Sequence, residues 1–264
     1  MNRGRKKYLE VSMKLMIAAA LFGSVFASLA AQASVSKSER ALVVLSELDQ
    51  NSYPELRPLY TAMERLTADV PRSALAQQYN TLKVLQNQSA TLSRLKTTLY
   101  SLAANSGIKA IDLIVNTHGT EDVLYFYDGG TSMRHIREEI LSPDAPYNEA
   151  TMLKLKQKLR MLYSTACFGA THNAEWIRMG FDVTDGSLGV NANAEVEYPS
   201  VVHAWSTGQP YSNGFRLSNT DAALLATDGP LRLAGQLGNN FLREVNSKKV
   251  FRGNTAITIN SDAQ

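Results

Sequence analysis

At 264 residues, 44% of them hydrophobic and 19% charged, the chain is long enough for one ordinary domain with a leader, or for two small domains. Five of its 27 Lys and Arg and one of its 24 acids fall in residues 1–33, so the remainder carries 22 basic against 23 acidic residues, a formal charge of −1. That balance, with no basic cluster interleaved with aromatics, argues against nucleic-acid binding, and a single cysteine excludes an internal disulfide or a cysteine-rich zinc site.

The chain opens on a leader. Arg3, Arg5, Lys6, Lys7 and Lys14 precede an apolar run from Leu15 to Ala31, and Ala31-Gln32-Ala33 is an A-x-A cleavage signal before Ser34. The run is short and broken by Gly23, Ser24 and Ser28, which favours a signal peptide at 1–33 over a membrane anchor. Translation from Met13 would leave Lys14 as a compact basic region, so both starts stay open. The mature chain, 34–264, is expected to be secreted or periplasmic, with no membrane attachment once the leader is cleaved.

Ala41-Leu42-Val43-Val44-Leu45 reads as a first buried strand. Asn51 to Pro54 is turn-like, and Leu56, Leu59, Met63 and Leu66 share a helical face, with Pro58 tolerated in the first turn. Val70-Pro71-Arg72-Ser73 is expected to break that helix. Thr81 to Leu85 reads as a second strand. A polar turn with Ser89 and Thr91 as cap candidates then leads into a helix with Leu92, Leu95, Leu99 and Leu102 on one side. That helix stops near Asn105-Ser106-Gly107. A third strand, A-I-D-L-I-V-N-T, runs from Ala110 straight into His118-Gly119. Strand, helix, strand, helix, strand predicts a parallel sheet covered on both faces.

Val123 to Tyr127 reads as a strand, Met133 to Leu141 as a helix, Ser142 to Asn148 as a loop, and Glu149 to Leu159 as a helix. Met161, Leu162 and Tyr163 form a short apolar strand that breaks into Ser164-Thr165-Ala166-Cys167. A helix from Thr171 to Arg178 follows, closed by Gly180, so the thiol is placed on a strand-to-helix turn near N–H groups that favour a thiolate. Phe181 to Val183 is a short apolar piece, Gly186 to Ala194 a surface loop or weak hairpin, and Pro199 to Ser206 a last core strand. Beyond Gly229 the pattern is mixed.

Cys167 has two readings. A lone cysteine is most simply a small buried hydrophobe. An unpaired thiol in an exported chain is unusual, however, and His118 stands at the end of a similarly built strand, a candidate general base. Gly119 is either an ordinary turn glycine or a position kept small so that a substrate carbonyl can approach its backbone. His172 is a rival base on the following helix. His135 reads as a helix-surface histidine, His203 as facing out of a strand, and Asp112 as structural. No H-E-x-x-H and no G-x-S-x-G is present, against a catalytic metal and an α/β-type serine hydrolase.

Thr165-Ala166-Cys167-Phe168-Gly169 matches three of the five positions of Q-A-C-[RQG]-G, and His118 lies 49 residues before Cys167, where caspases have about 50. On these residues, and on Ala90-Thr91 opening the helix before the histidine strand, the chain resembles the caspase-like superfamily of cysteine peptidases, with its legumain, clostripain, gingipain and metacaspase relatives. Ala204 to Phe215 is similar to the caspase segment A-Y-S-T followed by a turn, a Tyr and S-W-R. The resemblance implies an α/β fold, a single caspase-like domain over 34–264 with a mostly parallel central sheet and helices on both faces. It implies a His118–Cys167 dyad, an oxyanion hole from the backbone of Gly119 and Cys167, and a substrate channel lined by Trp205, Ser206 and Tyr211. It implies a protein or peptide substrate and no cofactor. The family's aspartate-neutralising arginine falls on Phe215 in an ungapped match, which argues against aspartate specificity. Departures at Thr165, Phe168 and Phe215 leave room for a catalytically silent scaffold that binds a protein or peptide. A thiol redox sensor is the third reading.

Overall fold

The apolar runs around Val43 and Leu113 become neighbouring central strands, because both are buried along their whole length, the signature of a parallel sheet covered on two sides. The computed structural model describes residues 34–50, 57–238 and 240–263. The leader read at 1–33 and the turn read at Asn51 to Pro54 lie outside the described residues. The main sheet holds β1 (Arg40–Glu47), β2 (Thr81–Gln86), β3 (Ala110–Thr117), β7 (Leu159–Ser164), β8 (Val183–Ser187) and β9 (Lys249–Gly253). Their order is β2-β1-β3-β7-β8-β9, parallel throughout except for the antiparallel β8–β9 pair. A second, three-stranded antiparallel sheet, β4 (Gly119–Thr120), β5 (Val123–Phe126) and β6 (Gly129–Ser132), follows directly from β3.

The helices are α1 (Arg57–Val70), α2 (Leu92–Ala104), α3 (Met133–Ile140), α4 (Glu149–Lys158), α5 (Gly169–Met179), α6 (Ala194–Ser206) and α7 (Asp221–Gln236). Alternation along β1 divides the core. Ala41, Val43 and Leu45 pack with Leu95, Leu99, Ile136 and Trp176 of α2, α3 and α5 on one face. Leu42 and Val44 pack with Tyr198, Val201, Val202 and Trp205 of α6 on the other, where Val70 of α1 also rests. The expected architecture, a mostly parallel sheet with helices on both faces, is the one observed. Caps fall where the sequence placed them: Thr91 Oγ1 accepts the Arg94 N–H, and Gly180, at φ 119°, closes α5.

Three expectations are corrected. Pro199 to Ser206 is helical, within α6. Its β-branched and aromatic residues suggested a strand, but Tyr198, Val201, Val202 and Trp205 recur at helical spacing and bury one face. Gly186 to Ala194 is not a surface loop from its start, since β8 runs to Ser187 with all five residues buried. Its polar side chains are tolerated there because they are bonded: Thr184 to Asn173, Asp185 to Tyr211, Ser187 to the Ala166 carbonyl. Gly186 has to be glycine, as a Cβ would lie 2.0 Å from the Gly169 carbonyl carbon. Pro71 ends α1, yet the backbone stays coiled through a π turn (Pro71–Leu75) and a 3-10 turn (Ala76–Gln78).

From the carboxyl end of β1 the chain passes to α1 on one face. From the carboxyl end of β3 it passes through the small sheet to α3 on the opposite face. Strands whose continuations part in this way open a crevice at their carboxyl ends, where α/β sheets place ligands.

Candidate active site

The crevice is built from three consecutive strand tips. In the β3–β7 register Val115 pairs with Ser164, and the Thr165 N–H donates to the Val115 carbonyl at 2.9 Å. His118 and Cys167 each lie three residues beyond that pair, so the register brings the two to the same edge. Gly119 runs alongside: a Cβ there would lie 2.7 Å from the Cys167 carbonyl oxygen and 3.0 Å from Ala166 Cβ. Close approach of the thiol-bearing backbone thus explains this glycine without invoking a substrate.

His118 is half-buried and held from two sides. Its Nε2 lies 2.8 Å from the Leu48 carbonyl, at the end of β1. A carbonyl oxygen only accepts, so Nε2 carries the hydrogen and, in the neutral ring, Nδ1 keeps its lone pair. The Tyr60 ring meets the imidazole edge-on, centroids 4.6 Å apart. Burial pushes the His118 pKa below its ordinary value, with the Leu48 bond pulling the other way. The neutral, base-competent form is therefore favoured.

Cys167 leads into α5 through Phe168, which adopts a left-handed conformation (φ 56°), an uncommon one for a bulky side chain and a mark of local strain. The Phe168 N–H donates to the Gly189 carbonyl at 2.8 Å. The sulfur accepts the Asn191 N–H at 3.4 Å, while the Asn191 amide donates to the Thr165 carbonyl at 3.0 Å. Burial pushes the Cys167 pKa up, and the Asn191 N–H and the positive charge of Lys249 only partly offset it. Desolvation thus works against the thiolate that this turn was expected to favour, even though Cys167 is only partly buried by surface area. Among the described residues no hydrogen bond joins His118 to Cys167.

Behind the thiol, Lys249 is buried with two carboxylates, 3.0 Å from Asp185 Oδ2 and 3.3 Å from Glu197 Oε1, and it donates to the Ser164 carbonyl. Burial works against the ammonium, but Asp185 and Glu197 outweigh it and hold its pKa up. His172 is fully buried, and its Nε2 donates to the Thr120 carbonyl at 2.9 Å, bracing the small sheet. His135 and His203 are exposed on helices.

Trp205, Ser206 and Tyr211 are not brought to this edge. Trp205 lies in the core, donating from Nε1 to the Tyr79 hydroxyl at 2.7 Å, and Tyr211 is buried with its hydroxyl 2.5 Å from Asp185 Oδ1. The Ser206 hydroxyl donates to the His203 carbonyl within its own helix. Phe215 packs against Tyr211 and Phe251 in the same core, away from any channel. Trp205 and Ser206 end α6, and Tyr211 and Phe215 bound the 3-10 turn after it, rather than following a core strand. What borders the 48–50 loop instead is a polar cavity of 540 Å³, lined by Asp49, Gln50, Gln86, Asn87, Ser89 and Tyr127 among others. Sequence reading also missed Leu48, Tyr60 and Asn191. Two act through backbone atoms, which carry no residue signature, and Tyr60 reads as an ordinary amphipathic-helix residue.

No group of three or more His, Cys, Asp or Glu is arranged to hold a metal among the described residues, and none of their helices is long and apolar enough to cross a membrane. No protein-family model and no curated protein matches the chain. Among solved structures it is similar to caspase-1 from Spodoptera frugiperda, with 11% identity, 86% of this chain and 94% of that one covered, and a TM-score of 0.49. It is similar to the Drosophila initiator caspase Dronc, with 9% identity, 86% and 84% covered, and a TM-score of 0.47. It is also similar to a secreted C11 cysteine protease from Bacteroides thetaiotaomicron, solved with an irreversible peptide inhibitor, with 14% identity, 62% and 54% covered, and a TM-score of 0.39. All three identities are below 15% and all three TM-scores below 0.5.

Proposed function

We propose that the chain is an exported cysteine endopeptidase in which His118 serves as base to Cys167. The observation that carries this reading is the matched position of the two residues, each three beyond a paired position on adjacent parallel strands, at the carboxyl end of the sheet.

With the thiol pKa pushed up by desolvation, attack on a peptide carbonyl calls for a base. The Cys167 sulfur bonds to the carbonyl carbon as its proton passes to His118 Nδ1. The oxyanion that forms would be held by the N–H groups of Gly119 and Cys167. Collapse of that intermediate breaks the C–N bond, His118 returns the proton to the leaving amine, and water later releases the acyl group from sulfur. The amide-rich cavity beside the 48–50 loop offers donors and acceptors to an extended peptide. Export rests on the A-x-A signal before Ser34, and N-terminal sequencing of the processed protein should begin there.

The deciding experiment is alkylation of Cys167 by an iodoacetamide probe across pH, with His118→Ala beside it. The dyad predicts a rate that depends on His118 and falls as the imidazole is protonated. A rate indifferent to His118 would instead support the second reading, a catalytically silent peptide-binding scaffold, which the raised thiol pKa favours. A peptide-library cleavage screen then separates enzyme from binder.

A further inference from the structure

The 48–50 loop is held by carboxylates. Glu64 Oε2 accepts the N–H of Leu48 at 3.2 Å and of Asp49 at 3.3 Å, and Glu47 Oε1 accepts the Gln50 N–H at 2.7 Å. Three successive backbone donors are thus fixed by two acidic side chains, one on β1 and one on α1. The carbonyl of the first residue in that loop, Leu48, is the group that receives His118 Nε2–H. Tyr60, four residues before Glu64 on the same helix, rests against the same imidazole. Glu64 is buried, and its Oε1 has no hydrogen-bond partner among the described residues. Burying a carboxylate with one oxygen unsatisfied costs stability, so packing alone does not account for this residue.

We infer that Glu64 is a positioning residue for His118: it fixes the Leu48 carbonyl, which selects the Nε2–H tautomer and turns Nδ1 towards the edge where Cys167 lies. The consequence for chemistry rests on the proposed dyad, whereas the effect on the tautomer does not. With the brace removed, the Leu48 carbonyl would be free to turn to solvent, and the ring would populate both tautomers.

The test is made on the mature protein, with folding checked by thermal melting. Long-range ¹H–¹⁵N spectra of His118 should show the Nε2–H tautomer in the wild type, a mixture in Glu64→Ala, and the wild-type pattern again in Glu64→Gln, whose amide oxygen still accepts. Glu64→Leu fills the volume without an acceptor and stands in should Glu64→Ala not fold. In parallel, Glu64→Ala should slow Cys167 alkylation about tenfold near neutral pH, and it should have no effect when added to His118→Ala, because Glu64 acts through that ring. An unchanged tautomer in a folded Glu64→Ala or Glu64→Leu protein overturns the inference. Should His118→Ala leave alkylation untouched, the dyad is overturned, while the tautomer still decides the role of Glu64.

Discussion

Asp112, on β3, and His118, one residue past the end of that strand, sit in opposite kinds of polar environment. Asp112 is fully buried and fully satisfied. Its Oδ1 accepts from Arg160 Nε at 2.9 Å and from the Met161 N–H at 3.2 Å, and its Oδ2 accepts from Arg160 Nη2 and the Tyr79 hydroxyl, each at 2.6 Å. Arg160 spends its remaining reach on the carbonyls of Ile259 and Ser261, which ties the last described residues to the sheet. Around His118 the polar groups are incompletely matched. Glu47 Oε2 and Glu64 Oε1 are buried without a hydrogen-bond partner among the described residues. A saturated network rigidifies a core, whereas an unsatisfied buried group is a local cost that the fold has accepted.

The contrast breaks most visibly at the thiol. Cys167→Ala should remove peptide-bond turnover, by about 10⁴-fold or more, while leaving the melting temperature nearly unchanged. Retained turnover in that variant would remove Cys167 as the nucleophile. At the saturated end, Arg160→Ala strands a buried carboxylate and should cost about 3–5 kcal/mol in urea unfolding. Asp112→Asn combined with Arg160→Met should recover much of that loss, since no charge is then left unpaired. If Arg160→Ala proves mild, Asp112 is not the fixed anchor described here.

Trp205→Phe sharpens the comparison from the core side. It deletes the hydrogen bond to Tyr79 and should cost about 1 kcal/mol of stability without altering Cys167 alkylation. A change in alkylation or cleavage would return Trp205 to the substrate channel that the sequence suggested. The smallest effect concerns pH. Burial holds the His118 pKa below its ordinary value of 6.5, so between the two values the unfolded chain binds a proton that the folded chain does not. The stability from the neutral ring is present above that ordinary value and is lost as pH falls towards the folded one. His118→Gln should therefore lose less melting temperature than the wild type between about pH 7.5 and about pH 5.5. An equal loss in both proteins would mean that the ring stays exposed to solvent.

His118, Gly119 and Cys167 could be picked out from sequence because strand ends announce themselves: an apolar run, a small polar step, then a glycine or a break. The same local logic placed β1, β2, β3 and β7 and the helices from α1 to α5. It failed at α6, where Val201, Val202 and Trp205 have strand propensities but helical spacing, and at β8, where Thr184, Asp185 and Ser187 look like a loop until their partners are in place.

What the chain determines by itself is periodicity and punctuation, which depend on neighbours a few residues away. Tertiary structure decided the rest: the Leu48 carbonyl reaches His118 across 70 residues, Glu64 reaches back 15 and 16 residues to the loop, and Lys249 answers Asp185 and Glu197 from the far edge of the sheet. It also decided the state of the thiol. Position at the start of a helix favours a thiolate, but burial, which only the folded chain creates, outweighs it.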